Sequence, residues 1–286
     1  MNAGVPAGAS IAELVAEGTA RLANLGSLAR LEAEVLLAHA LDRPRSHLIT
    51  WPEKVPDTRE QGHYRALMTA RADGTPVAYL TGQREFWSLE LTVTPRTLIP
   101  RPETERLVEL ALERIPPGAL GRVADLGTGS GAIALALAHE RPGLEILATD
   151  RDPEAVDIAR ANATRHGLAN VAFAIADWCA PLTPDSFLAI VCNPPYIAPA
   201  DPHLEQGDLR FEPRRALVSA DNGLADLRTL ATTALPCLIP GGLLLLEHGY
   251  DQAEAVVALL VDAGYRDVRD ERDHAGQPRV ACARVP

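Results

Sequence analysis

The short, mostly apolar run Val123-Ala124-Asp125-Leu126 passes directly into Gly127-Thr128-Gly129-Ser130-Gly131 and then into the apolar segment Ala132 to Ala138. A short apolar run, closely spaced glycines and a second apolar run read together as buried strand, tight turn and helix. Glycines in that turn permit positive φ and let a ligand approach the backbone, while the helix N-terminus presents free N–H groups. The stretch therefore predicts a nucleotide-binding α/β sheet. Its spacing is Gly-x-Gly-x-Gly and not the Gly-x-Gly-x-x-Gly of dinucleotide sites, a departure that matters because a pyrophosphate is what the longer version cradles.

Three further strands are expected downstream, and each ends on a polar signal. Leu144 to Thr149 ends at Asp150, about twenty residues past the glycine loop, where an acid is placed to bind two ribose hydroxyls. Helix capping is the alternative role, but Asp152 fills it, with Pro153 at the first helical position. Val171 to Ala176 ends at Asp177-Trp178. Asp177 can accept from an adenine amino group and Trp178 can pack against the base, although a core tryptophan is the plainer reading. Phe187 to Cys192 ends at Asn193-Pro194-Pro195-Tyr196. Two prolines in series hold Asn193 and Pro194 extended and stiff. The Asn193 side-chain carbonyl and the Pro194 backbone carbonyl can then accept from a planar NH2 group while Tyr196 offers a stacking face. In an open parallel sheet ligands bind outside the carboxyl ends of the strands, so four such ends in succession point to one site.

The flanking chain fits around this sheet. From Ser10 to about Asp73 apolar residues recur at helical spacing, broken at Asp42-Arg43-Pro44 and Trp51-Pro52-Glu53, which predicts a small helical domain that either only packs or recognises a partner. Gln83 to Pro95 reads as a hairpin or two short strands, Glu85-Phe86-Trp87 and Leu89 to Val93, and a helix opens within residues 99–105 and runs to about Ile115. The segment 197–216 is long and weakly periodic, and beside the clamp it reads as a lid. Leu224 to Leu238 reads as a helix, Pro240-Gly241-Gly242 as a turn, Leu243 to Glu247 as a strand and Gln252 to Asp262 as a helix. Val268 to Arg272 and Arg279 to Arg284 read as a closing antiparallel pair.

Composition excludes several partners. A net charge of −11 leaves no global basic field to displace counterions, so no stable nucleic-acid binding is expected. Cys179, Cys192, Cys237 and Cys282 lie far apart, and the eight histidines are scattered, so neither a zinc site nor a disulfide framework is indicated. The start lacks a basic and an apolar region of a leader, and the longest apolar runs are too short to span a bilayer. A cytoplasmic protein with no membrane association is expected.

Val123 to Gly131 resembles the first motif of the S-adenosylmethionine-dependent methyltransferases of the seven-stranded Rossmann-like class. Asn193 to Tyr196 resembles the motif of those that methylate planar NH2 nitrogens. More narrowly, the chain resembles the peptide chain release factor N(5)-glutamine methyltransferases. The resemblance runs through Glu85-Phe86-Trp87-Ser88, Pro100-Arg101-Pro102-Glu103-Thr104-Glu105, Phe211-Glu212-Pro213, Glu247-His248-Gly249 and Ala275-Gly276-Gln277-Pro278-Arg279-Val280. The ribosomal protein glutamine methyltransferases share Asn-Pro-Pro-Tyr but typically differ at 100–105, which favours release factors. One departure is Asn222-Gly223-Leu224, where the family usually has Asp-Gly-Leu, and it puts a local turn contact in doubt.

The resemblance implies an α/β fold, a seven-stranded Rossmann-like sheet with a small helical N-terminal domain joined by a β-hairpin. The expected division is a substrate-recognition domain over 1–80, a hairpin linker over 81–98 and the methyltransferase domain over 99–286. It implies S-adenosyl-L-methionine bound by Gly127, Thr128, Gly129, Ser130, Gly131, Asp150, Asp177, Trp178 and Asn193, with Phe86 packed beside them. Asn193, Pro194 and Tyr196 would be catalytic, and Asn193, Pro194, Pro195 and Tyr196 would meet the substrate. The implied reaction is methyl transfer to the glutamine side chain of the Gly-Gly-Gln motif in class I release factors. A ribosomal protein glutamine methyltransferase and a DNA or RNA amino-group methyltransferase that takes a base out of its stack are the alternatives. The missing basic field and the helical N-terminal domain speak against a nucleic-acid substrate, and Asn193 with Asp150 against a module that only binds.

Overall fold

The computed structural model describes residues 8–180 and 182–286, and the chain divides after Gly82 into two compact units. Among its described residues the first unit has five α-helices: α1 Ile11–Arg21, α2 Leu28–Ala40, α3 Arg45–Thr50, α4 Thr58–Ala72 and α5 Val77–Thr81. Capping boxes start α1 and α4, where Ser10 pairs with Glu13 and Asp57 with Glu60, each satisfying N–H groups that the first helical turn leaves without partners. Pro44 stands immediately before α3, as a residue that cannot continue α2 should. Leu14, Leu36, Leu37 and Tyr64 are fully buried between these helices, and the Tyr64 hydroxyl donates to Leu14 O at 3.1 Å.

The second unit opens with the hairpin of β1 Gln83–Phe86 and β2 Leu89–Thr92. Trp87 and Ser88 at its tip both have positive φ, the pattern of a two-residue turn that matches the strand twist. Helix α6 spans Thr104–Arg114. It begins later than the sequence suggests, because Pro100 and Pro102 lie in the turn ahead of it, each restricting the residue before it. The glycine unit follows as predicted, with β3 Gly121–Leu126 and α7 Ala132–Glu140, every residue of α7 from Ala132 to Ala138 being buried.

Next come β4 Leu144–Asp150, α8 Pro153–Arg165, β5 Val171–Ile175 and β6 Phe187–Cys192. Asp152 caps α8 by accepting from Glu154 N. After a stretch of 3₁₀ turns the chain forms the short turn α9 Ala220–Gly223, α10 Ala225–Thr233, β7 Leu238–Glu247, α11 Ala253–Asp262, β8 Arg266–Arg272 and β9 Pro278–Arg284. The seven strands of the large sheet lie in the order β5-β4-β3-β6-β7-β9-β8, with β9 antiparallel to both neighbours and the other pairings parallel. The order reverses between β3 and β6, the crevice where ligands bind in open α/β sheets.

Two further details differ from the sequence reading. The helix expected over 224–238 ends at Thr233, and Pro236 sits in a 3₁₀ turn. Pro240-Gly241-Gly242 is not a separate turn but lies within β7, where the pairing with β6 slips between Phe187↔Leu238 and Ala189↔Leu243. Such a bulge takes up extra residues without ending the strand.

Segment 197–218 is closed at its base by Ile197 N donating to Leu217 O (2.9 Å) and Ser219 N donating to Ile197 O (3.0 Å). The following turn explains the departure at Asn222. Asp221 and Asn222 both adopt the left-handed conformation, which asparagine tolerates well, and Asn222 meets Gln252 through its backbone carbonyl. The side-chain change leaves that contact intact.

Gly223 has φ +88°, and a Cβ there would lie 2.1 Å from Tyr196 O. Gly223→Ala should therefore cost at least about 2 kcal/mol through left-handed strain and displaced backbone. Thermal melting should show a fall of about 4 °C or more.

Candidate active site

The carboxyl ends of β3, β4, β5 and β6 open onto one cleft, lined by Gly127, Gly129, Asp150, Asp177, Trp178, Asn193 and Pro195. The glycine loop is held from below by a buried acid. Asp125 Oδ2 accepts from the Thr128 hydroxyl (2.7 Å) and from Ala134 N (3.1 Å), so one carboxyl oxygen ties the loop to the first turn of α7. Asp125 is fully buried, its Oδ1 has no partner, and desolvation pushes its pKa up to about 7 against the pull of those two hydrogen bonds. Gly129, with φ +56°, has open space where a Cβ would stand, so a ligand can come down onto the backbone there.

Asp150 is fixed by two backbone donors, Gly129 N at 3.0 Å and Asp152 N at 2.9 Å, one on each carboxylate oxygen. A carboxylate oxygen carries two acceptor sites, so each retains one for a hydroxyl of a ligand. Trp178 is half-buried. It packs on the core below the sheet, approaches Gly127, and donates its indole N–H to Asp226 at 3.2 Å. It therefore serves the core and lines the cleft at once. Asp177 is exposed on the cleft wall.

Asn193 is half-buried, and its Nδ2 donates to Thr104 Oγ1 at 3.1 Å. With the amide nitrogen so engaged, Oδ1 is the atom left to accept. Thr104 stands at the start of α6 and also lines the cleft. Arginines close the opposite wall. Arg101 is ion-paired to the buried Glu212, which also accepts from Ile99 N at 3.1 Å. Arg215 is ion-paired to Asp152 and donates to Arg96 O at 3.0 Å.

Four expected site residues do not line this cleft. Phe86 is 2% exposed and sits in the core with Leu89, Leu91 and Ile133, so it does not itself reach the cleft surface. Tyr196 does not offer its ring to the cleft. The ring packs on the same core as Trp178, and its hydroxyl donates to Glu247 Oε1 at 3.2 Å. Pro194 is buried outside the lining, and Gly131 packs against Ala159 and Leu135 at the head of α7.

Conversely, sequence reasoning left Arg96, Thr104, Arg215 and Glu247 without roles. Glu247 had a usable signal, since it ends the apolar run Leu243 to Leu246 just as Asn193 ends its own. All four cysteines are free and buried, and among the described residues no cluster of side chains could hold a metal ion. Among the described residues, no helix is long and apolar enough to cross a membrane.

Because Asp125 has a folded-state pKa above its ordinary 3.8, the native state binds that proton more tightly than the unfolded chain. Its stabilisation is fully present below 3.8 and is lost as pH rises through about 7. Asp125→Asn, which cannot ionise, should lose less stability over that window than wild type in denaturant melts at stepped pH. An unchanged pH dependence would mean that Asp125 is ionised in the folded protein throughout.

Comparison with known proteins identifies the family. Residues 13–82 match the family model for the PrmC N-terminal domain, and residues 105–208 match that for the methyltransferase small domain. The release factor glutamine methyltransferase of Vibrio cholerae serotype O1 is 52% identical over 253 residues, covering 87% of each chain. That of Escherichia coli K12 is 49% identical over 255 residues, covering 89% of this chain and 92% of its own. Among solved structures, a methyltransferase from Pyrococcus furiosus superposes with a TM-score of 0.52 over 77% of this chain and 96% of its own. At 17% identity that likeness is one of fold alone. With half its residues shared over 87% of its length, the chain belongs to the release factor glutamine methyltransferase family.

Proposed function

We propose that the protein transfers a methyl group from S-adenosylmethionine to the side-chain amide nitrogen of the glutamine in the Gly-Gly-Gln motif of a class I release factor. The observation that carries this reading is the fixed amide of Asn193. Its nitrogen is spent on Thr104, so an acceptor oxygen is available to a planar NH2 group at the edge of the cleft.

The cleft fits the donor. Asp150, with one acceptor site remaining on each oxygen, would hold the two ribose hydroxyls, Trp178 and Asp177 would meet the adenine, and the open backbone at Gly129 would receive the rest. When bound, S-adenosylmethionine supplies a methyl group made electrophilic by its sulfonium. The protein must make the acceptor react, which is difficult because an amide nitrogen shares its lone pair with the carbonyl.

Asn193 Oδ1 would accept one N–H bond of the substrate amide, and the carbonyl of Pro194, a residue buried just outside the cleft lining, would take the other where the inserted glutamine reaches it. They would aim the nitrogen and stabilise positive charge as it develops there. No general base is required, since a nitrogen that has gained a methyl group is acidic enough to lose its proton afterwards. Tyr196, with its ring in the core, would steady the loop and not stack on substrate. The helical first unit is read as the surface that recognises the release factor. The expected place of work is the cytoplasm, and the acidic balance of the chain argues against a nucleic-acid substrate.

Incubation with labelled S-adenosylmethionine should label a release factor but not the same factor with its Gly-Gly-Gln glutamine replaced. A ribosomal protein and duplex DNA should stay unlabelled. Label on either of those instead would overturn the assigned acceptor. Asn193→Ala should lower turnover on the order of a hundredfold or more with cofactor binding intact, the usual effect of losing one preorganised transition-state hydrogen bond.

A further inference from the structure

An amide group has two ends of nearly the same shape, and only its hydrogen-bond network decides which end faces a ligand. The clamp works only if Asn193 presents oxygen, since a presented NH2 would oppose the NH2 of the substrate. Thr104 cannot enforce this alone, because a hydroxyl both donates and accepts. Something beyond Thr104 must set the direction of the Asn193–Thr104 bond.

Glu247 stands in that position. Cys192 pairs with Leu246 in the parallel register, so the next residues, Asn193 and Glu247, lie side by side at the ends of β6 and β7. Glu247 is 1% exposed, its Oε1 accepts from the Tyr196 hydroxyl at 3.2 Å, and its Oε2 is buried with no hydrogen-bond partner. The Thr104 hydroxyl, itself buried, lies close enough to favour the charged form of Glu247. The ionisable groups facing the carboxyl are Tyr196 after β6, Arg279 on β9 and Glu103 ahead of α6. Arg279 is shared, since it also pairs with Asp273 at 3.2 Å and donates to His248 O at 3.2 Å.

We propose that Glu247 is a positioning residue that sets the polarity of the chain Asn193 to Thr104 to Glu247. An ionised carboxylate only accepts. Thr104 therefore turns its proton toward Glu247, keeps a lone pair for Asn193 Nδ2, and leaves Asn193 Oδ1 for the substrate amide. A protonated or amide side chain at 247 can donate to Thr104 instead. Thr104 then donates to Asn193 Oδ1, the amide turns over, and the clamp presents the wrong end. This inference rests on the reading of Asn193 as the amide clamp.

Burial pushes the pKa of Glu247 up to about 7, so the relay is switched by pH near neutrality. Activity depends on the ionised form, so kcat falls as pH drops below that value. The test is steady-state kinetics on the full-length enzyme with a release factor substrate, across the pH range around neutrality.

Glu247→Gln should lower kcat about tenfold or more. It should leave the KM for S-adenosylmethionine unchanged and abolish the acid limb of the kcat profile. Thr104→Val should lose kcat likewise, while Thr104→Ser, which keeps the hydroxyl, should retain most of it. That valine–serine split reads the hydroxyl independently of any effect of Glu247→Gln on folding. Wild-type kcat with the acid limb intact in Glu247→Gln would overturn the relay, as would equal activity of the valine and serine variants. Retained turnover in Asn193→Ala would instead overturn the clamp itself, so the two failures are distinguishable.

Discussion

The site depends on parallel pairing in level register. Leu126 at the end of β3 pairs with Thr149 on one side and Cys192 on the other, and Cys192 in turn pairs with Leu246. Gly127 and Asn193 therefore follow the last paired residues of β3 and β6, Asp150 and Glu247 are the last residues of β4 and β7, and all four come out at one edge. Side chains alternate faces along a strand, so a slip of one residue in any pairing would turn its terminal polar group away from the cleft. The buried apolar faces above and below the sheet make such slips costly. Burial in the core thus sets the geometry of the edge.

Two acids sit inside that edge, Asp125 under the glycine loop and Glu247 under the clamp, and burial raises the pKa of both to about 7. Each has one oxygen bonded and one without a partner. Burying a carboxyl is unfavourable unless it is protonated or well paired, so neither would persist there for packing alone. Asp125 ties the glycine loop to a helix. Glu247, in our account, gives direction to a set of hydrogen bonds that would otherwise have two equivalent arrangements.

Much of this was legible in the sequence because the signals are local. A strand followed by its polar end occupies fewer than ten residues, and the glycine turn, the Asp152 cap and the stiff Asn193-Pro194-Pro195 segment all announce themselves within one window. The illegible parts are long-range. Asn193 meets Thr104 across 89 residues and Tyr196 meets Glu247 across 51, and no periodicity reports such contacts. The core positions of Phe86 and Tyr196 are illegible for the same reason. An aromatic residue in a motif can face a ligand or the core, and that choice is made by packing partners far along the chain, Leu107 and Val123 in the core around Phe86, and Glu247 for Tyr196. Pro240-Gly241-Gly242 resembles a turn in sequence because a bulge inside a strand carries the same residues as a loop between elements.

The proposed reaction depends on Asn193 presenting its oxygen to the nitrogen of a glutamine side chain. A crystal structure of the enzyme with S-adenosylhomocysteine and a Gly-Gly-Gln peptide would show this contact. The glutamine nitrogen should lie within hydrogen-bonding distance of both Asn193 Oδ1 and Pro194 O, with Asn193 Nδ2 still on Thr104. A glutamine bound through its carbonyl oxygen to Asn193 Nδ2, or seated away from the ends of β6 and β7, would contradict it.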